Sequence, residues 1–116
     1  PIGAGLSSSA ALSCSFAFAI NELNNFGLDK VHLAKIAQQA EHNFAGVKCG
    51  IMDQYASLFG KKDSVILLDC DLLTHQYFPL ALKDHTLLLV DSKVKHSLAS
   101  SAYNKRRASC EEAVHI

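Results

Sequence analysis

No two cysteines in this sequence stand at CxxC or CxxH spacing, neither sign of charge is in excess, and no apolar run reaches membrane-spanning length. Each absence excludes something. Cys14, Cys49, Cys70 and Cys110 are far apart, which argues against zinc. Without a signal peptide, that wide spacing reads as reduced, buried thiols in a cytoplasmic protein. Eleven Lys and Arg balance eleven Asp and Glu, so nothing points to nucleic acid or an anionic membrane as the main partner. A bilayer span is excluded by length. Repeats, low-complexity tracts and linkers are missing too. The 116 residues therefore read as one domain, and with 49% hydrophobic residues they can bury a core.

What is present begins with Gly3-Ala-Gly-Leu-Ser-Ser-Ser-Ala-Ala11, a glycine pair and three hydroxyls running into an apolar helical pattern. Gly3 and Gly5 allow a sharp turn and close approach of the backbone to a ligand. Ser7, Ser8 and Ser9 suit a helix start, where a side-chain oxygen accepts from an unpaired N–H. The first N–H groups of such a helix carry partial positive charge and form a seat for an anion, most naturally phosphate. The Gly-Lys-Ser/Thr ending of a P-loop is missing, and Ser8 occupies the place of the third Gly in a dinucleotide fingerprint. On shape alone, a capped core helix explains the stretch equally well.

Periodicity places a first helix over 8–24, apolar nearly all round and so expected to be buried on most sides. Asn24-Asn25-Phe26-Gly27 stops it. Asp29 caps a second helix to about Phe44, with Leu33, Ala37, Ala40 and Phe44 as its core face, Ile36 widening it and Glu41 at its edge, about 80° from Leu33. Gly46 ends this helix. A short helix over 51–58 follows, closed by Gly60. Strands are expected over 65–69, over 75–80 with Pro79 as an edge or stop signal, and most strongly over 86–90. A loop over 91–97 leads to a final helix from about residue 99 or 100. The sequence opens without Met directly on the glycine loop and stops within a helical pattern, which reads as the middle of a larger protein.

Few side chains are candidates for chemistry. Asp53, set among apolar neighbours just after Gly50, fits a general base for a substrate hydroxyl, but also a carboxylate complementing a helix dipole. Glu41 with a serine hydroxyl could hold Mg²⁺ beside a phosphate, or simply border a core face. Lys93, Lys95 and His96 read as a solvated loop, and Lys105, Arg106 and Arg107 as a solvated helix face with Arg107 and Glu111 as i,i+4 partners. Tyr103 is either a ligand-facing phenol or a core tyrosine. The histidines show no metal spacing.

Pro1-Ile-Gly-Ala-Gly-Leu-Ser-Ser-Ser-Ala-Ala-Leu12 closely resembles the phosphate-binding motif of galactokinases, within the GHMP family of small-molecule kinases. Ala40-Glu-His-Asn-Phe-Ala-Gly46 with Cys49-Gly-Ile-Met-Asp-Gln54, Leu67-Leu-Asp-Cys-Asp71, and the stretch from Lys93 to Arg107 are similar to three further galactokinase segments. The first motif marks the GHMP family; the other three narrow it. Ser13 and Ala102 replace residues that are often Glu in galactokinases.

The resemblance implies an α/β (α+β) fold: a GHMP-kinase N-terminal lobe, ribosomal protein S5 domain 2-like, incomplete, with a mixed sheet and packed helices. Residues 1–116 would be its central part and the start of the following region. It implies ATP-dependent phosphorylation of galactose at the C1 hydroxyl. Gly3, Gly5, Ser7, Ser8 and Ser9 would cradle the ATP phosphates, and Ser9 and Glu41 would ligate Mg²⁺. Asp53 would address the C1 hydroxyl, with Gly50 and Tyr103 lining the sugar pocket. Family motifs before Pro1 and after Ile116 would be needed for activity, so the 116 residues alone are expected to be inactive. Two alternatives are a related kinase of N-acetylgalactosamine or arabinose, and a non-catalytic regulator that senses galactose and ATP. The intact Ser9-Ala10 pair argues against the regulator.

Overall fold

The computed structural model describes residues 5–90 and 101–115. The loop expected over 91–97, with Lys93, Lys95 and His96, and Gly3 in the glycine pair, lie outside the described residues.

Helix α1 spans Ser8–Asn24 and ends at Asn25, whose backbone is left-handed (φ 54°) and whose N–H reaches back to Asn21 and Glu22 carbonyls. That ending suits Asn, which tolerates the left-handed region better than most residues. The buried Asn21 then fixes the turn. Its Oδ1 accepts from the Leu28 N–H at 2.9 Å and its Nδ2 donates to the Leu28 carbonyl at 3.3 Å. Helix α2 spans Lys30–Ala40 and is capped as expected, by Asp29 accepting from the His32 N–H at 2.9 Å.

The long second helix is in fact two pieces. After Ala40 the backbone widens into a π turn over Glu41–Ala45, closed by Gly46 at φ 69°, where the Val47 N–H bonds the Glu41 carbonyl at 3.2 Å. The wider turn rotates Phe44 off the core stripe, and its side chain is 90% exposed instead of buried. Ile36 is likewise exposed. Helix α3 spans Met52–Phe59 and is closed by Gly60.

The three helices pack against one another around a small core of Ala10 and Cys14 from α1, Leu33, Ala34 and Ala37 from α2, and Tyr55 from α3. The small residues let the helix backbones approach closely. On α1 only Ala10, Cys14 and Asn21 are buried, while Leu12, Phe16 and Leu23 are exposed. The expectation of a helix buried on most sides is therefore corrected, because α2 and α3 cover one face and none of the described residues covers the other. The thiol expectation is also corrected in part. All four cysteines are free, but only Cys14 is buried, and Cys70 and Cys110 lie at the surface.

Strands β1 (Ser64–Asp69) and β2 (Thr74–Pro79) form an antiparallel hairpin in the register Ser64↔Pro79 to Asp69↔Thr74. Asp69 Oδ1 accepts from the Asp71 and Leu72 N–H groups at 3.0 and 2.9 Å, which builds the turn. Aromatic rings seat the hairpin on α3. Tyr55 stacks on Phe59 with centroids 4.2 Å apart, His75 meets both rings, and the Tyr55 hydroxyl lies 2.7 Å from His75 Nδ1.

The α/β (α+β) class stands, with helices and a small antiparallel sheet; of the mixed sheet, the described residues show this hairpin alone. Residues 86–90, expected to be the strongest strand, are not in a strand, and Leu87, Leu88 and Val90 are exposed. Apolar content does not make a strand unless an edge accepts its backbone groups, and no described strand pairs with this run. Helix α4 (Ser101–Val114) meets the loop after the π turn through Asn104 and Arg107.

Candidate functional site

The N-terminus of α1 faces the π turn and the start of α3 across a cleft of about 390 Å³. Ser7, Ser8, Ser9, Glu41, Asp53 and Tyr103 line it, and Gly5 borders it. The backbone passes through two left-handed positions on the way in, Gly5 at φ 74° and Ser7 at φ 51°. Glycine takes the first without strain; the second is uncommon for serine. Ser7 is the N-cap residue, but its side chain makes no capping bond, which corrects the expected serine cap. Its geometry is the reason: the usual cap has an extended backbone, which aims the hydroxyl at the following N–H groups. The opening N–H groups of α1, at Ser8, Ser9 and Ala10, thus begin the helix with no intrahelical acceptor, and these three residues line the cleft.

Glu41 is buried, although periodicity put it at the edge of a core face. That edge faces the mouth of α1, where the Ser9 hydroxyl donates to Glu41 Oε1. The pair joins residues 32 positions apart. Its charge is felt by the neighbouring thiol: burial, and then Glu41, push Cys14 up to about 11. Burial likewise raises Cys49.

Asp53 sits in the first turn of α3, half-buried, with its carboxylate near a helix N-terminus. Tyr103 reaches the cleft from α4 and is about half exposed, so the core-tyrosine alternative is set aside. Gly50 is placed differently. It borders an adjacent groove, shared with Tyr103, between the loop at Lys48 and α4.

The donors that meet at Ser9 and Glu41 are a hydroxyl and a carboxylate, both hard oxygens. Among the described residues, no group of three or more His, Cys, Asp or Glu could hold a metal. A cation here would take few protein ligands and complete its shell from a bound anion and water, which is the habit of Mg²⁺ and unlike zinc. Chemically, the cleft offers N–H groups for an anion, two oxygens for a cation and a separate carboxylate for a hydroxyl.

Sequence reasoning missed three residues around this cleft. Gln54 is almost fully buried beside Asp53, donates to Cys49 Sγ at 3.6 Å, and leaves its Oε1 without a partner among the described residues. Val47 and Cys49 also line the wall. The signal available for these two was their place just after Gly46, which turns the chain at φ 69°.

The chain is 56% identical to the galactokinase of Thermotoga neapolitana over 116 residues, all of this chain and 33% of that protein. It is 46% identical to the galactokinase of Clostridium tetani over 117 residues, again all of this chain and 30% of that protein. Its fold matches the crystal structure of Lactococcus lactis galactokinase complexed with galactose, with a TM-score of 0.84 and 32% identity over 97% of this chain and 29% of that one. The chain thus spans about a third of the length of the curated relatives it matches. The family model for the GHMP kinases N terminal domain matches residues 1–61, more than half of the sequence, and the chain belongs to the GHMP kinase family.

Proposed function

We propose that the protein containing this chain phosphorylates galactose at its C1 hydroxyl with ATP, and that residues 1–116 form the central part of its N-terminal lobe and the start of the region that follows. The observation that carries the reading is the meeting, in one cleft, of the α1 mouth, the Ser9–Glu41 pair, Asp53 and Tyr103. The named relatives, and a matched structure that holds galactose, support the same substrate.

Phosphoryl transfer depends mainly on positioning and charge neutralisation. Gly3, Gly5, Ser7, Ser8 and Ser9, with the α1 N–H groups, would cradle the ATP phosphates and offset their charge. Ser9 and Glu41 would hold Mg²⁺, which when bound neutralises phosphate charge that N–H groups alone leave uncompensated. Asp53 accepts the hydrogen of the sugar C1 hydroxyl, which aims its lone pair at the γ-phosphorus. Gly50 and Tyr103 border the sugar. No helix among the described residues is long and apolar enough to cross a membrane, and a cytoplasmic location fits a kinase that consumes ATP.

The test is ADP release by the full-length protein with galactose, N-acetylgalactosamine and arabinose as acceptors. Galactose should be turned over fastest; absence of sugar-dependent ADP release would refute the reading. In the same assay Ser9→Ala should need ~10-fold more Mg²⁺ for half-maximal rate, as the loss of one oxygen ligand implies. An unchanged metal curve would remove Ser9 from the cation's shell.

A further inference from the structure

The connection over Gly46–Gly50 is held from both sides. On α4, Asn104 Nδ2 donates to the Gly46 carbonyl at 2.9 Å while its Oδ1 accepts from the Lys48 N–H at 3.0 Å. One side-chain amide thereby pairs with two backbone groups as a neighbouring strand would. One turn further, Arg107 Nη1 donates to the Lys48 carbonyl at 3.0 Å and reaches the Cys49 carbonyl at 3.5 Å. Its Nε donates to Glu111 Oε1 at 2.7 Å, which fixes the guanidinium plane and raises the Arg107 pKa. From the opposite side, Gln38 Nε2 donates to the Cys49 carbonyl at 3.1 Å. His42 Nε2 lies 2.8 Å from the same oxygen, and since a carbonyl only accepts, that nitrogen carries the proton. The Cys49 carbonyl is thus the meeting point of α2, the π turn and α4. Gly50 follows it directly and Asp53 opens α3 three residues later.

A loop that only connected two helices would not need this. Backbone groups at an exposed turn are satisfied by water, and two ordered long side chains cost conformational entropy. The bonds instead tie the helix that carries Tyr103 to the segment that leads into Asp53. We propose that Asn104 and Arg107 are positioning residues, which set the separation of Tyr103 and Gly50 from Asp53 through the backbone of residues 46–49. Neither touches the reacting atoms. The proposal rests on the reading of the cleft as a sugar-phosphorylating site. The α4 clamp borders the groove that Gly50 and Tyr103 share, which no α1 residue lines, so its loss should loosen sugar binding and spare ATP.

Two measurements on the full-length protein test it. In hydrogen exchange, Asn104→Leu should expose the Lys48 amide and speed its exchange by ~10-fold or more, while Asn104→Asp, which keeps the acceptor, should hold it nearer the wild-type rate. In steady-state kinetics, Asn104→Leu and Arg107→Ala should raise the KM for galactose by ~10-fold and leave that for ATP within ~2-fold, as the loss of about one net hydrogen bond's worth of positioning implies. Arg107→Lys should recover part of the loss, since an ammonium still reaches the Lys48 carbonyl. Unchanged Lys48 exchange in Asn104→Leu overturns the clamp. Both KM values moving together, or neither, overturns its positioning role. If the wild-type protein does not phosphorylate galactose, the functional reading falls, and the exchange comparison alone then decides whether the clamp exists.

Discussion

Asp53 lines the same cleft as the buried Glu41 and Cys14 feels the Glu41 charge, yet the chemistry of the two diverges. Asp53 is half-buried in the cleft wall at a helix start, where its carboxylate can take a hydrogen bond from a bound hydroxyl. If it orients the acceptor hydroxyl, Asp53→Ala in the full-length protein should cut kcat by ~10²–10⁴-fold, the usual span for a positioned base, and leave ATP affinity nearly unchanged. A kcat near wild type, measured beside ATP binding by calorimetry, would remove the assignment. Cys14 is buried, and burial with the Glu41 charge holds its thiol near 11. The protonated thiol is the neutral form, so a raised pKa means less thiolate at any given pH. At pH 9 only about one Cys14 in a hundred would be thiolate, whereas an ordinary thiol is by then more than half ionised. Alkylation at pH 9 followed by mass spectrometry should therefore label the exposed Cys70 early and Cys14 last; early labelling of Cys14 would contradict its burial. At this scale the sequence was most legible where a motif carried the residue. Ser7, Ser8, Ser9, Glu41, Asp53 and Tyr103 were all named from their stretches before the fold brought them together. Gln54 and Asn104 were not, because their partners are backbone and sulfur groups of the 46–49 segment, which no side-chain pattern announces.

Among the elements, the helices were legible because their ends are written locally: Asp29 as a cap, Asn25 and Gly46 in left-handed closing positions, Gly60 after α3. What was not legible is the switch from α2 to the π turn at Glu41, since one residue of extra backbone per turn leaves no mark on a 3.6-residue pattern. That switch matters to the site. It ends with Val47 bonded back to the Glu41 carbonyl, so the residue that meets Ser9 also anchors the start of the clamped loop. Gly46 makes the reversal possible. A Cβ there would meet nothing within 4 Å, so the cost of Gly46→Ala is conformational alone: a left-handed backbone at φ 69° on a residue that disfavours it. The expected loss is about 1–2 kcal/mol of stability by chemical denaturation. A substitution that left stability unchanged would show that the loop reverses some other way. The same logic explains the missed strand over 86–90. Its apolar residues were read correctly, but a strand is a property of a pair, and the sequence of one member does not reveal whether the other is at hand.

For the molecule as a whole, burial is the quantity that falls short. A compact monomer of 12.6 kDa exposes ~6,200 Å² by the usual scaling of surface with mass, and this chain exposes 9244 Å². Its radius of gyration is 16.1 Å, where compact 116-residue domains come to ~13 Å. Among the described residues, exposed apolar side chains contribute to that surface: Leu12, Phe16 and Leu23 on α1, and Leu87, Leu88 and Val90 in the run beyond the hairpin. Single exposed apolar side chains are ordinary, but a helix face and a whole strand's worth of them call for a covering layer. The relatives it matches are about three times as long. Residues 1–116 produced alone should accordingly bind a hydrophobic dye strongly, unfold over a broad range of denaturant and show no sugar-dependent ADP release, while the full-length protein should bind little dye and unfold sharply. A fragment that melted cooperatively, stayed monomeric by sedimentation and phosphorylated galactose at the full rate would mean that these faces need no cover, and that the cleft between α1 and α3 is assembled and stabilised by the described contacts alone.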